Sequence, residues 1–349
     1  MADQQLFPSY LASKRTAVDA YLAGHMPAAL TEGDAQGDLD RYLYEPHRRF
    51  VCGEGKRIRP ALALRGAEAV GQTQECALAA AAAIETFQGA ALIHDDIADE
   101  GELRRGEPCL HLTEGMGVAI NVGDLALVDV FELVLTAAAL PEERKLRVLR
   151  DLVVMERHTL EGQALDLGWV RDGRWDLAPD DYLYMARSKT AYYSAAFPLA
   201  VGAACAGATS EQEHGLFEVG LHAGLAFQLQ DDLLNLVGNA EAQGKDFRSD
   251  ITEGKRTYMV VTALRDLGEE DRAELAGLLG GHVTDRAQLD RAVELIERGG
   301  GIAAARKVMD EHVERAKGQA NELAERALIT NVSRDVLVSM ADFFVRRSF

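Results

Sequence analysis

Apolar residues recur every three or four positions through most of this 349-residue chain, as in DLALVDVFELVLTAAAL and KLRVLRDLVVMERHTLEGQAL, and that period admits helices and little else. Alternating strand-like runs bounded by turn pairs are missing. Only 8 prolines interrupt the pattern, so helices can run long. Breaks fall at TEGDAQGD (residues 31–38), at the glycine and proline cluster from Gly101 to Pro108, at Pro141, at RDGRWDLAPDD and at VGNAEAQGKDFRSDITEGK. No fixed-period repeat, low-complexity block or Ser/Pro linker divides the chain. The expected fold is all-α: one domain over residues 1–349, a single large bundle of helices.

With 48% hydrophobic and 27% charged residues, the chain can bury a sizeable core, which excludes disorder and fibres. A net charge of −19 repels phosphate backbones and anionic lipid, so nucleic acid is excluded as a partner. An anionic substrate would then need a local cluster of Lys and Arg, or a bridging divalent cation. Cys52, Cys76, Cys109 and Cys205 form no CxxC pair and no disulfide framework, which fits a reducing cytoplasm and argues against zinc. The opening MADQQLFPSYLASKR has neither signal-peptide nor transit-peptide character. Thr190 to Ser210 is uncharged but rich in alanine and broken by Pro198, Gly202 and Gly207, so it reads as a buried helix, and no membrane span is expected.

Two acidic runs follow apolar helical stretches. In AAAAAIETFQGAALIHDDIADEGELRRG they are Asp95, Asp96 and Asp99, of which Asp95 and Asp99 lie about 40° apart on one helix face, one turn from each other. In GLHAGLAFQLQDDLLNLVGN the corresponding positions are Asp231, Asp232 and Asn235. Acids occupy 56 of the 349 positions, so one such triple arises by chance roughly once in a chain of this size. The setting is more telling than the triple. Paired carboxylates among Ala, Leu, Ile and Phe repel each other and are costly to desolvate unless a cation neutralises them. Two such sites predict the facing walls of a metal-holding cavity, and Mg²⁺ suits them because it takes one or two carboxylates per ion and completes its octahedron with water and phosphate.

The ordered series GEGKRIRP, LIHDDIAD with LRRGEP, EGQALDL, SKTA, FQLQDD and GKDFRSDITEGK, spanning about Gly53 to Lys255, resembles the all-trans polyprenyl diphosphate synthases of the class I isoprenoid synthase fold. The resemblance implies a helical bundle around a central cavity. It also implies a Mg²⁺-dependent enzyme, with three ions per active site, that condenses isopentenyl diphosphate with an allylic diphosphate. Asp95, Asp99 and Asp231 inherit the metal-binding roles. Asp96 and Asp232 are placed as supporting ligands or as acceptors just behind the ligands, Asp166 among the groups around the metals, and Asn235 keeps a ligating carbonyl but loses a charge. Arg104, Lys189, Lys245 and Lys255 resemble the contacts to the allylic diphosphate, and Lys56, Arg59 and Arg105 those to isopentenyl diphosphate. Lys189, Thr190 and Gln228 match groups that stabilise the cation, and Gln163 lies beside the metals. Two departures stand out: Gln88 replaces a common histidine, and Glu54 the first of a glycine pair.

For product length, the helix entering Asp95 should line the tunnel for the growing tail. Ala90 and Ala91 leave the first floor open. Phe87, about 4.5 Å deeper at 1.5 Å per residue, is the candidate next floor, which favours geranylgeranyl diphosphate over farnesyl or longer products. Phe87 as ordinary core packing remains the competing reading. A terpene cyclase would carry a Ser where the second run has none, and a non-catalytic partner subunit would have lost one acidic motif. DLALVDVFELVL offers an apolar face for a homodimer, or for the core.

Overall fold

The computed structural model describes residues 5–30, 33, 35–238 and 247–346. In chain order, its longer helices are α1 (Leu6–Gly24), α2 (Ile58–Ala69), α3 (Leu78–Ala98), α4 (Met116–Leu135), α5 (Glu142–Arg171), α6 (Pro179–Ala186), α7 (Phe197–Cys205), α8 (Ser210–Val237), α9 (Tyr258–Asp266), α10 (Glu269–Gly280), α11 (Arg286–Arg298), α12 (Gly301–Glu325) and α13 (Asn331–Arg346). Their starts follow local chemistry. Thr209 and Gln212 form a capping box ahead of α8, Thr257 accepts from the Val260 N–H at α9, and Asp285 caps α11.

A wide-turned π-helical stretch, Arg187–Ala196, joins α6 to α7 and lies against both α5 and α8. Small residues let these backbones approach. A Cβ added at Gly162 of α5 would sit 2.2 Å from the Lys189 nitrogen, and one at Gly220 of α8 would lie 2.4 Å from the Ala195 oxygen. Among the described residues two large apolar cores result, with a small third around Ile93, Leu110, Ala119 and Val122. One draws α1 and α8 to α13 together, with Phe7 and Phe344 both in it, and the other packs α3, α4, α5 and α7 around Leu64, Ile84 and Met155.

The Thr190–Ser210 stretch is divided between the π-helical segment, α7 and a turn at Gly207, where φ is +77°. Among the described residues the helical stretch long and apolar enough to cross a membrane is instead Gln74–Ala98, and 72% of its most apolar window is buried within the fold. Among the described residues the β-structure is a small hairpin of β1 (Leu103–Arg104) and β2 (Glu107–Pro108), inside a break read as plain loop. Arg105 and Gly106 carry φ of +56° and +83°, the signature of a two-residue I′ turn.

Candidate active site

The first acidic run ends α3. Asp99 caps the helix, its N–H bonding the Asp95 carbonyl at 2.8 Å, so the two side chains remain one turn apart. Gln163 of α5 donates to Asp95 Oδ1 at 3.0 Å, and Lys255 donates to Asp99 Oδ2 at 3.2 Å. Asp96 turns elsewhere. It is 2% exposed and accepts from the Arg104 guanidinium, through Nε at 2.8 Å and through Nη2. The I′ turn explains why adjacent arginines separate: Arg104 pairs back to Asp96, while Arg105, on the turn itself, reaches Gly53 and Gly55 of the opposite loop.

The second run ends α8, where Asp231 is half-buried. Asp232 is enclosed, with Tyr182 Oη donating to one oxygen at 2.5 Å and Gln228 Nε2 to the other at 2.7 Å. Burial, helped by the charge of Asp250, pushes the Asp232 carboxyl up to about 8. Asn235 uses its whole amide on the turn Ser249–Thr252: Nδ2 donates to Ser249 Oγ at 3.1 Å, and Oδ1 accepts from the Asp250 N–H at 3.3 Å. Asp96 and Asp232 accept from protein donors, which suits the alternative of a group behind the ligands, and Asn235 bonds to the turn after α8. Asp96 steadies Arg104 through Oδ1 while its buried Oδ2 has no partner among the described residues, Asp232 anchors α8 to Tyr182 of α6, and Asn235 bonds Ser249 and the Asp250 N–H.

Lysines tie the first run to the segment that follows α8. Lys255 Nζ lies 3.2 Å from Asp99, 3.8 Å from Asp250 and 2.5 Å from Glu253, so the end of α3 and the segment after α8 share one cation. Lys189 pairs with Asp166, placed there by the close approach of Gly162, one turn before Asp166, to the Lys189 backbone. Burial raises the Asp99 carboxyl against the pull of Lys255, and the charge of Asp95 adds to the rise. Asp250 is likewise raised by burial. Asp166 goes the other way, because Lys189, helped by Lys255, outweighs its burial. Five carboxylates, those of Asp95, Asp99, Asp166, Asp250 and Glu253, thus face two lysines, and the excess is negative in a poorly solvated place.

An all-oxygen donor set with surplus negative charge fits a small hard dication. Among the described residues no three acidic, His or Cys groups converge tightly enough to hold a bare ion.

A second cationic cluster faces the loop before α2. Arg57 is 4% exposed with φ of +52°, and it bonds Asp19, Glu85 and the carbonyls of Val51 and Gly53, which fixes the loop. Lys56 is exposed beside it. Arg59 donates to Tyr193 Oη and Ser194 Oγ, and its buried Nε has no acceptor. Burial lowers the affinity of Arg105 for its proton, Glu85 resists, and Arg57, Arg104 and Arg59 lower it further. Such a crowd of guanidiniums with one buried counter-ion is built to receive an anion.

Between α3, α4, α5 and the π-helical segment, beside the first run, lies a cavity of about 280 Å³. Asp95, Gln163, Lys189 and Thr190 line its polar end; Ala91, Leu92, Leu127, Leu160, Phe87 and Tyr193 line the rest. Ala91, not Ala90, faces it, because Ala90 is fully enclosed on another side of α3. Phe87, Ala91, Asp95 and Ala98 recur at helical spacing, so one face of α3 runs from cavity wall to carboxylate. Gln88 is half-buried, and Lys245 lies outside the described residues. Sequence reasoning overlooked Asp250, Arg57, Glu85 and Tyr193. Asp250 sat unassigned within GKDFRSDITEGK, Arg57 sat unassigned within GEGKRIRP, and the signal for Tyr193 was its place just after SKTA.

Residues 40–296 match the model of the family described as "Polyprenyl synthetase". The chain is 38% identical over 306 residues to a short chain isoprenyl diphosphate synthase of Methanothermobacter thermautotrophicus, covering 87% of this chain and 90% of that one. Its fold is similar to a geranylgeranyl pyrophosphate synthetase of Pyrococcus horikoshii, with a TM-score of 0.85 and 29% identity over 99% of each chain. It is also similar to a geranylgeranyl pyrophosphate synthase of Corynebacterium glutamicum complexed with isoprenyl diphosphate and magnesium, with a TM-score of 0.80 and 27% identity over 99% of this chain and 97% of that one.

Proposed function

Since the chain belongs to the polyprenyl synthetase family, we propose that it makes geranylgeranyl diphosphate by adding isopentenyl diphosphate to allylic diphosphates, with Mg²⁺ at the acidic runs. It is a prenyltransferase of the all-trans prenyl diphosphate synthase type. The observation that carries the product is the cavity running from Asp95 and Lys189 past the small Ala91 to Phe87, which is 2% exposed.

In this reading Asp95, Asp99 and Asp231 would hold three Mg²⁺ ions, and Asp166 and Asp250 would supply further negative charge nearby. When bound, Mg²⁺ neutralises and polarises the diphosphate leaving group. The chain's own residues do the rest. Lys189, Lys255 and Lys245 take the charge of the allylic diphosphate, with Arg104 held at its station by Asp96. Arg59, Arg105 and Lys56 hold isopentenyl diphosphate. The allylic C–O bond then breaks with its electron pair leaving on diphosphate, and the terminal alkene carbon of isopentenyl diphosphate attacks the resulting cation. A proton is lost to the released diphosphate, which leaves a product five carbons longer. Thr190, the Lys189 backbone and Gln228 present dipoles to the cation, and the apolar cavity wall excludes water that would trap it as an alcohol.

The test incubates the purified protein with isopentenyl diphosphate, each allylic primer and Mg²⁺, and sizes the dephosphorylated products. The expected product has twenty carbons, and absence of diphosphate release would overturn the enzyme reading. Asp95→Ala and Asp231→Ala should each lower kcat at least 100-fold while circular dichroism stays helical.

Residues 1–349 are read as one domain, supported by the shared burial of Phe7 and Phe344 near opposite ends of the chain. A homodimer is inferred from the exposed apolar row Val128, Leu135, Leu146 and Val153 on α4 and α5, and a cytoplasmic location from four free cysteines.

A further inference from the structure

Tyr193 stands where the cationic cluster and the tail cavity meet. Arg59 Nη2 donates to its hydroxyl at 2.9 Å and to Ser194 Oγ at 2.8 Å, and the guanidinium carbon lies 4.4 Å from the Tyr193 ring centroid. On its other side the same ring meets Phe87 edge-on, with centroids 5.8 Å apart and planes at 81°, and both rings line the cavity. Its place in the chain makes this possible. Tyr193 lies three residues after Thr190 and four after Lys189 in the wide-turned segment, and all three border the same space.

We propose that Tyr193 is a specificity-determining residue with two actions: its ring closes the tail cavity jointly with Phe87, and its hydroxyl orients Arg59 toward isopentenyl diphosphate. The inference rests on the substrate assignments above. An edge-to-face pair is harder to displace than either ring alone, because each blocks the rotation of the other. Tyr193 is held a second time by Arg59, so a tail pressing on Phe87 presses on a ring braced from behind. Arg59 in turn has two of its hydrogen bonds set by Tyr193 and Ser194, while its buried Nε still lacks an acceptor and is left to an incoming oxygen. The ring limits length and the hydroxyl sets affinity, so one side chain carries two separable readouts.

Tyr193→Phe keeps the ring and removes the hydroxyl; Tyr193→Ala removes both. In Tyr193→Phe, product length should match the unaltered protein, while KM for isopentenyl diphosphate rises roughly five- to tenfold and KM for the allylic primer stays level, as for loss of one bond to a charged group. In Tyr193→Ala the longest product should gain at least one five-carbon unit. Should that variant lose its helical circular dichroism, Tyr193→Leu carries the same length test. Unchanged product length in the folded small-residue variant overturns the closing role. Unchanged KM for isopentenyl diphosphate in Tyr193→Phe, or an equal rise for both substrates, overturns the orienting role. The comparison is made against the unaltered protein; if that protein forms no prenyl product, the prenyltransferase reading itself fails, a separate outcome from either of these.

Discussion

Asp129 and His47 form a pair that the proposed chemistry leaves unused. Both are essentially inaccessible, with Nε2 and Oδ2 3.7 Å apart. Burial, with Glu132 adding, pushes the Asp129 carboxyl up to about 7, and burial with Arg48 brings His47 down to about 4. Between those values both are neutral in the folded chain. The unfolded chain takes up a proton on His47 below its ordinary value of 6.5, which makes stability rise with pH from about 4 to 6.5. It also releases the Asp129 proton near its ordinary value of 3.8, so Asp129 contributes an opposing fall as pH rises from about 4 to about 7. Asp129→Asn should remove that fall. Its advantage over the unaltered protein in urea unfolding should grow across this window to at most about 4 kcal/mol and stay level above it. A constant difference across pH would refute the buried-proton account. Side-chain orientation explains what was legible at this scale. Asp95, Asp99 and Lys189 could be read because their motifs and helical spacing coincide with where they point. The destinations of Asp96, Asp232 and Asn235 could not be read, because each depends on a partner distant in the chain or on the turn after it: Arg104 across a hairpin, Tyr182 fifty residues earlier, Ser249 beyond an unpatterned loop.

Helices were easy to read and their contacts were not. Period and caps located α3, α5 and α8, but nothing periodic announced that Arg187–Ala196 would widen into π-helical turns or that glycines would bring it against α5 and α8. Gly162 tests this packing. A methyl there would meet the Lys189 backbone at 2.2 to 2.6 Å, and because the obstacle is main chain it cannot simply rotate aside. Gly162→Ala should cost about 1–3 kcal/mol of stability by chemical denaturation, and it should lower kcat because Lys189 moves away from Asp166 and the cavity. Full stability with full turnover would show that the two elements can separate without consequence. The hairpin is the other element hidden from the sequence, since two-residue strands are too short for an alternating pattern and Arg-Gly is an uncommon I′ pair.

For the whole molecule, the bundle and its acidic balance were legible from composition and period alone, because long amphipathic helices with few prolines have few other ways to bury themselves. Which faces stay uncovered was not. Val128 is 62% exposed and Leu135 56%, at helical spacing along α4, and an open groove between them reaches Phe131. A patch of this kind on an otherwise charged protein is where the proposed homodimer would close. Light scattering on the purified protein should give the mass of two chains, and Val128→Lys combined with Leu135→Glu should halve it while circular dichroism remains unchanged. A single-chain mass before substitution would remove the dimer.

The turn at Arg105 and Gly106 acts like a fork whose tines cannot be adjusted independently in position. One arginine serves each side, and the tight backbone between them has no slack to absorb an inserted or deleted residue. Evolution can therefore retune either tine by changing its side chain, but a change in the number of residues would swing both at once, so among descendants of this chain that stretch should drift in identity and hold its length.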